Sequence, residues 1–136
     1  MNWGKSTRYA LYAAMEMAEA GPERPVRVTE IAERYRIPES ALAKVLQQMV
    51  RSGIALGTRG VGGGYRLARP PAEVTVLEII EIFEPPRSLE SCLLADSGED
   101  RCEGMPECRL RRLFDEVEEQ ARCTFASVSL ETLVRS

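Results

Sequence analysis

The sequence predicts a mainly α chain broken by one small β-hairpin, and three observations lead there. Stretches 6–20, 29–36 and 38–52 each carry apolar residues at helical spacing. Two short β-prone runs, 54–58 and 65–68, flank the glycine-rich stretch Arg59-Gly-Val-Gly-Gly-Gly64. A heavily charged amphipathic stretch then runs from residue 108 to about 126. At 136 residues the chain is long enough for one domain with a real core and short for two.

The first helix, 6–20, places Leu11, Met15 and Ala18 on an apolar stripe and stops at Gly21-Pro22. The second, about 29–36, is expected to start at Thr29 as its cap and to turn Ile31, Ala32 and Tyr35 inward. After a turn at Arg36-Ile37-Pro38, Pro38 suits the first position of a third helix, which Gly53 ends. In that helix Leu42, Val45, Leu46, Met49 and Val50 make one apolar face. Ser40, Lys44, Gln47 and Arg51 recur at four, three and four residues and form a polar stripe on the other side. Two helices joined by a tight turn, the second presenting hydrogen-bonding and cationic groups, make a helix-turn-helix that fits the DNA major groove. A polar stripe by itself is more often the mark of a solvated face, so the next segment decides.

Gly-rich residues between two β-prone runs read as a hairpin, and a hairpin directly after a helix-turn-helix is a wing. A phosphate-binding loop would need Lys-Ser or Lys-Thr leading into a helix, whereas here a strand follows. Arg59 at the base of the wing and Arg66 on its return strand are placed to reach phosphates or a narrow minor groove. Pro70-Pro71 breaks the chain before the next helix. Thr75 and Glu78 spell a capping box, with Val74 and Ile79 as the hydrophobic staple around it. Leu77, Ile80 and Phe83 continue its inner face, and Pro85-Pro86 ends it. In the long helix from residue 108, Leu110, Leu113, Val117 and Ala121 form an apolar line with Phe114 and Phe125 beside it. That surface exceeds what one small domain covers, which predicts pairing with a twin in a homodimer. Residues 128–134 are expected to form a short terminal turn on that dimer.

The charge total of −3 hides a split. Residues 1–70 hold eleven Lys/Arg against six Asp/Glu, a balance of +5, whereas residues 71–136 hold seven against fifteen, a balance of −8. A basic first half is compatible with double-stranded DNA as the partner, because attraction depends on the local face. No apolar run approaches the roughly 18 residues of a membrane span, and the N-terminus lacks the apolar core of a signal peptide. The expected location is cytoplasmic, where thiols serve as ligands or sensors more often than as disulfides. Histidine is absent. With no paired nucleophile and base and no cofactor fingerprint, the chain does not read as an enzyme.

Three thiols stand in one acidic stretch, Cys92-Leu-Leu-Ala-Asp-Ser-Gly-Glu-Asp-Arg-Cys102-Glu-Gly-Met-Pro-Glu-Cys108. It shows no helical or strand period, and a long structureless stretch in a small domain is usually functional or disordered. Their sulfurs converge only if the stretch folds around something, and an iron–sulfur cluster is the leading candidate. Zinc held by three thiolates and a carboxylate, or a thiol redox switch, are the chemical competitors. Cys108 opens the long helix, whose positive end favours an anionic ligand, and Arg109, Arg111 and Arg112 would offset the thiolates' charge. Cys123 lies roughly 22 Å further along the helix, out of reach of the same metal, and reads as packing. Trp3 reads as a core or interface ring.

Taken together, Lys5-x-x-Arg8-Tyr9-Ala10-Leu11, Ile31-Ala32-Glu33, Gly53-Ile54 and Arg59-Gly60-x-Gly62-Gly63-Gly64-Tyr65-x-Leu67-Ala68 resemble the Rrf2 family of bacterial transcription regulators, from about residue 2 to residue 134. The three cysteines resemble its cluster-binding branch, whose members sense iron, iron–sulfur supply, nitric oxide or redox state. The resemblance implies a winged helix domain, a crossed dimerisation helix and a cluster near the subunit interface. Two departures stand out. Iron–sulfur-supply regulators carry a histidine where this chain has Arg111, and nitric-oxide sensors carry an aspartate at the position aligned with Arg8. The fourth ligand is then a carboxylate among Asp96, Glu99, Asp100, Glu103 and Glu107, a residue of the other subunit, or none. Three cysteines with an open corner resemble the rhizobial iron regulator of the family. A cubane can leave one iron to a small molecule, so 4Fe–4S is preferred, with 2Fe–2S possible. Relatives often carry Tyr and Glu where this chain has Ala41 and Ala43, so their operator sequence does not transfer. A clusterless family member controlled by a partner protein or small molecule is the alternative.

The expected organisation is a winged helix-turn-helix domain over 1–84 (wing about 54–68), a cysteine-containing loop over 85–107, and a dimerisation helix with a C-terminal turn over 108–136.

Overall fold

A computed structural model describes residues 3–85 and 108–136. Six α-helices and one hairpin follow in the order α1 (Lys5–Ala20), α2 (Val28–Tyr35), α3 (Glu39–Arg51), β1 (Ala55–Thr58), β2 (Gly64–Leu67), α4 (Val76–Phe83), α5 (Arg109–Ser127) and α6 (Leu130–Arg135). A 3-10 turn, Pro71–Glu73, separates the wing from α4. The fold class is the expected one, mostly helical with a two-stranded antiparallel hairpin.

α1 runs through the middle of the core, but on a different face from the one its larger residues mark. Ala10, Ala13, Ala14 and Met17 are buried, whereas Leu11, Met15 and Ala18 are only half-buried on its flank. The small inner side chains let α3, α4 and α6 approach α1 closely. Thr29 does not cap α2. The helix starts one residue earlier, behind an extended Arg27 with no side-chain cap. The cause is tertiary: Val26 is pinned in extended form by two backbone hydrogen bonds to Tyr65, so the chain turns into helix directly after it. α2 ends on Arg36 in the left-handed conformation (φ 54°), and the Ile37 N–H then reaches the Ala32 carbonyl at 3.0 Å.

Pro38 is the N-cap of α3 rather than its first residue. Leu42, Val45, Leu46 and Met49 are buried as expected, with Val50 half-buried at the edge. The capping box is present in full: the Glu78 N–H donates to Thr75 Oγ1 at 3.2 Å, and the Thr75 N–H donates to Glu78 Oε2 at 2.9 Å. Val74 and Ile79, its staple, are both fully buried.

The C-terminal segment is a helix, and it packs on its own chain. Leu130 is completely buried in the main core, and the Leu130 N–H donates to the Val74 carbonyl while the Val76 N–H donates to that of Val128, both at 2.9 Å. α5 itself buries no residue. It leans on α4 through the Arg122–Glu81 ion pair (2.7 Å), and Phe125 meets the Trp3 ring edge-on at 4.9 Å, which makes Trp3 a packing residue within the chain. Cys123, expected to pack, is exposed: it lies one residue past Arg122, about 100° round the helix, and its sulfur stands 3.7 Å from Glu119 Oε1.

Candidate nucleic-acid interface

Ser40, Lys44, Gln47 and Arg51 are all exposed along α3. The Ile54 N–H donates to the Met49 carbonyl at 3.1 Å, so the wing leaves the end of α3 without slack. β1 and β2 pair in the register Ala55–Leu67, Leu56–Arg66, Gly57–Tyr65 and Thr58–Gly64. Arg59 is exposed at the turn, and Arg66 is half-buried opposite Leu56. Among the described residues, none of Lys44, Arg51, Arg59 and Arg66 is paired with a carboxylate. Arg24, Arg34, Arg69, Arg111, Arg122 and Arg135 all are.

The wing's shape is fixed by two glycines. A side chain on Gly63 would come within 2.3 Å of the Thr58 carbonyl oxygen, and one on Gly64 (φ +150°) within 2.7 Å of that of Val26. The turn therefore closes on its own backbone, and the strand end lies against the loop before α2.

Two features were not visible in the sequence. Val26 forms an isolated bridge with Tyr65 and acts as a third strand position at the hairpin's edge. Arg69, just past the wing, points its guanidinium at α4: Nη2 donates to Glu78 Oε1 at 2.7 Å and Nη1 to the Glu73 carbonyl at 3.3 Å. Burial pushes the Glu78 carboxyl up, but the hydrogen bonds from Thr75 and the Arg69 guanidinium outweigh it and hold the group below its ordinary value of 4.5. Between α1 and α2, the Tyr35 hydroxyl donates to Glu16 Oε1 at 2.7 Å, and Arg34 bonds the same oxygen at 2.7 Å.

Of the three cysteines singled out, Cys92 and Cys102 lie outside the described residues. So do the candidate carboxylates Asp96, Glu99, Asp100, Glu103 and Glu107. Cys108 is the N-cap of α5, half-buried, with its thiol making no capping hydrogen bond. Arg111 is drawn toward Asp115 at 3.8 Å, leaving Arg109 and Arg112 exposed near the thiol in sequence. Among the described residues, no group of three metal-binding side chains is brought together.

The family model described as Rrf2, an iron-dependent transcriptional regulator, matches residues 4–136. The chain belongs to the Rrf2 family. Similar proteins include BadM of Rhodopseudomonas palustris, named as an HTH-type transcriptional regulator, which is 38% identical over 99% of this chain and 82% of that protein. IscR of Xenorhabdus nematophila, another HTH-type transcriptional regulator by name, is 30% identical over 95% of this chain and 76% of its own length. Among solved structures, CymR of B. subtilis, the global cysteine regulator of that organism, superposes with a TM-score of 0.74 at 24% identity, covering 99% of this chain and 97% of CymR. This Rrf2 protein is a DNA-binding transcription regulator and not an enzyme. Among the described residues, no helix is long and apolar enough to cross a membrane.

Proposed function

We propose that this Rrf2 chain is a cytoplasmic homodimer that binds operator DNA through α3 and the wing, and that Cys92, Cys102 and Cys108 hold an iron–sulfur cluster as its sensor. The observation that carries the DNA part is that the cations of α3 and the wing are exposed or half-exposed and unpaired. Among the described residues Lys44, Arg51, Arg59 and Arg66 have no carboxylate partner, unlike Arg24, Arg34, Arg69 and Arg122. Unpaired cations on a polar helix face and a wing are available to phosphates without first breaking an ion pair. Ser40 and Gln47, exposed on the same helix stripe, are the groups able to read base edges.

The donor set fits the sensor reading. Three sulfurs suit iron better than hard cations, and the Cys108 thiol is not spent on capping its helix. A cluster held there, 4Fe–4S by preference, supplies a redox-active and labile iron centre. The chain's own residues do the rest. Cys108 is joined directly to α5, whose far end is tied to Val74 and Val76 by backbone hydrogen bonds at the start of α4. A change in the cysteine segment therefore bears on a helix that is anchored to the DNA-reading unit. Leu110, Leu113, Phe114 and Val117 are exposed by 48–62% along one side of α5, the surface expected to meet the same helix of a second copy.

The test is purification without oxygen, followed by an absorption spectrum with iron, sulfide and zinc analysis, and operator binding. The expected result is a coloured dimer whose iron is lost, with altered operator affinity, when any one of the three cysteines becomes Ala. Colourless, iron-free protein that binds its operator unchanged after all three replacements would overturn the sensor. Zinc in place of iron, or no metal at all, would favour control by thiols or by a partner protein or small molecule.

A further inference from the structure

The hairpin is only two four-residue strands, too little to hold a fixed direction alone, and three of its glycines have positive φ. It has an edge anchor in the Val26–Tyr65 bridge. At its base the Ala68 N–H donates to the Ile54 carbonyl at 2.9 Å, and the next side chain is Arg69. By sequence Arg69 continues a basic row with Arg59 and Arg66. By geometry it does not, because its guanidinium faces the other way, onto Glu78 at 2.7 Å and the Glu73 carbonyl at 3.3 Å. Its partner is rigid. The Glu78 carboxylate also accepts the Thr75 N–H, and the backbone on either side of Thr75 is bonded to Val128 and Leu130.

We propose that Arg69 is a positioning residue for operator binding: its pair with Glu78 fixes the direction of the wing against the start of α4, and Arg69 makes no phosphate contact. The inference rests on the reading that the wing touches DNA. Without the pair, the wing visits other directions, and the apparent affinity falls by the fraction of time it is correctly placed. The contacts made once bound are the same, so the salt dependence is kept.

The two roles predict opposite signs for one substitution. Glu78→Gln keeps the capping box, which accepts Gln at that position, but removes the charge that holds Arg69. If Arg69 positions the wing, Glu78→Gln weakens binding; if Arg69 contacted phosphate, losing a competing carboxylate would leave binding equal or tighter. The probe is a duplex selected from random DNA by the unaltered full-length protein, titrated by fluorescence anisotropy over a salt series. Expected are dissociation constants raised about two- to fivefold, the span of a half-exposed ion pair, for both Glu78→Gln and Arg69→Gln. The slope against salt stays unchanged, the double variant is no worse than either single one, and Arg69→Lys recovers part of the loss. Thermal melts establish that each variant is folded at the assay temperature. A slope lowered by about 1 for Arg69→Gln, unchanged or tighter binding for Glu78→Gln, or losses that add in the double variant would overturn the proposal. Arg59→Ala in the same series tests the underlying reading separately: if it changes neither affinity nor slope, the wing is not on DNA at all.

Discussion

Tyr65 and Val26 exchange two backbone hydrogen bonds, each 2.8 Å long, across thirty-nine residues of chain. That exchange ties the wing to the loop entering the helix-turn-helix, and Gly64 makes room for it. Gly64→Ala puts a methyl carbon within 2.7 Å of the Val26 carbonyl at a φ of +150°. It is expected to cost roughly 1–3 kcal/mol and to weaken operator binding severalfold. Gly4→Ala, which meets nothing within 4 Å, is the control. Equal melting temperatures and affinities for the two variants would remove Gly64 from its role.

Arg59 is exposed at the wing turn without a carboxylate partner among the described residues. Arg59→Ala is expected to lower the slope of log affinity against log salt by about 1 and to weaken binding similarly on all sequences. A salt titration on specific and random duplexes reads both quantities.

Val117→Glu and Leu113→Glu place a charge on the exposed apolar side of α5. Neither residue is buried within its own chain, so the monomer's helical circular dichroism should hold while sedimentation shows the dimer dissociating. A variant that still sediments as a dimer would locate the interface elsewhere.

Tyr35 is predicted to ionise late. Burial and its hydrogen bond to the Glu16 carboxylate push the phenol up to about 12 from an ordinary 10.0. A proton held more tightly in the folded state stabilises the fold fully below pH 10, and that contribution fades as pH climbs toward 12. Ultraviolet titration of the four tyrosines should show one late step that Tyr35→Phe abolishes.

Leu130 is fully buried. Truncation to Ala is expected to cost about 2–5 kcal/mol, the usual range for a core leucine. Truncating the exposed Leu110 instead should cost the isolated chain far less. Denaturant unfolding of the two variants compares them directly.

Local chemistry was legible in the sequence wherever the cause was local. The Thr75–Glu78 box, the buried stripe of α3 and the glycine turn are set by residues a few positions apart, and each stands where its spacing put it. Misreadings arose where a distant partner decides. α2 begins behind Arg27 because Tyr65 holds Val26 extended, and nothing near Thr29 announces that. α1 turns its alanines inward because three helices crowd onto it, whereas the pattern of larger side chains points one step round. Arg69 carries no local sign of its partner Glu78, nine residues on, which the structure sets beside it. Of the cysteine site, only Cys108 at the head of α5 falls within the described residues.

The bonding of Val128 and Leu130 to the stretch before α4 also sets an order of events during synthesis. The recognition helix and the wing leave the ribosome early, yet the core beneath them stays open until residue 130 has followed. Nascent chains stalled before that point should be poor at holding DNA and easy targets for proteases, so the reading head is completed only once residue 130 has cleared the ribosome.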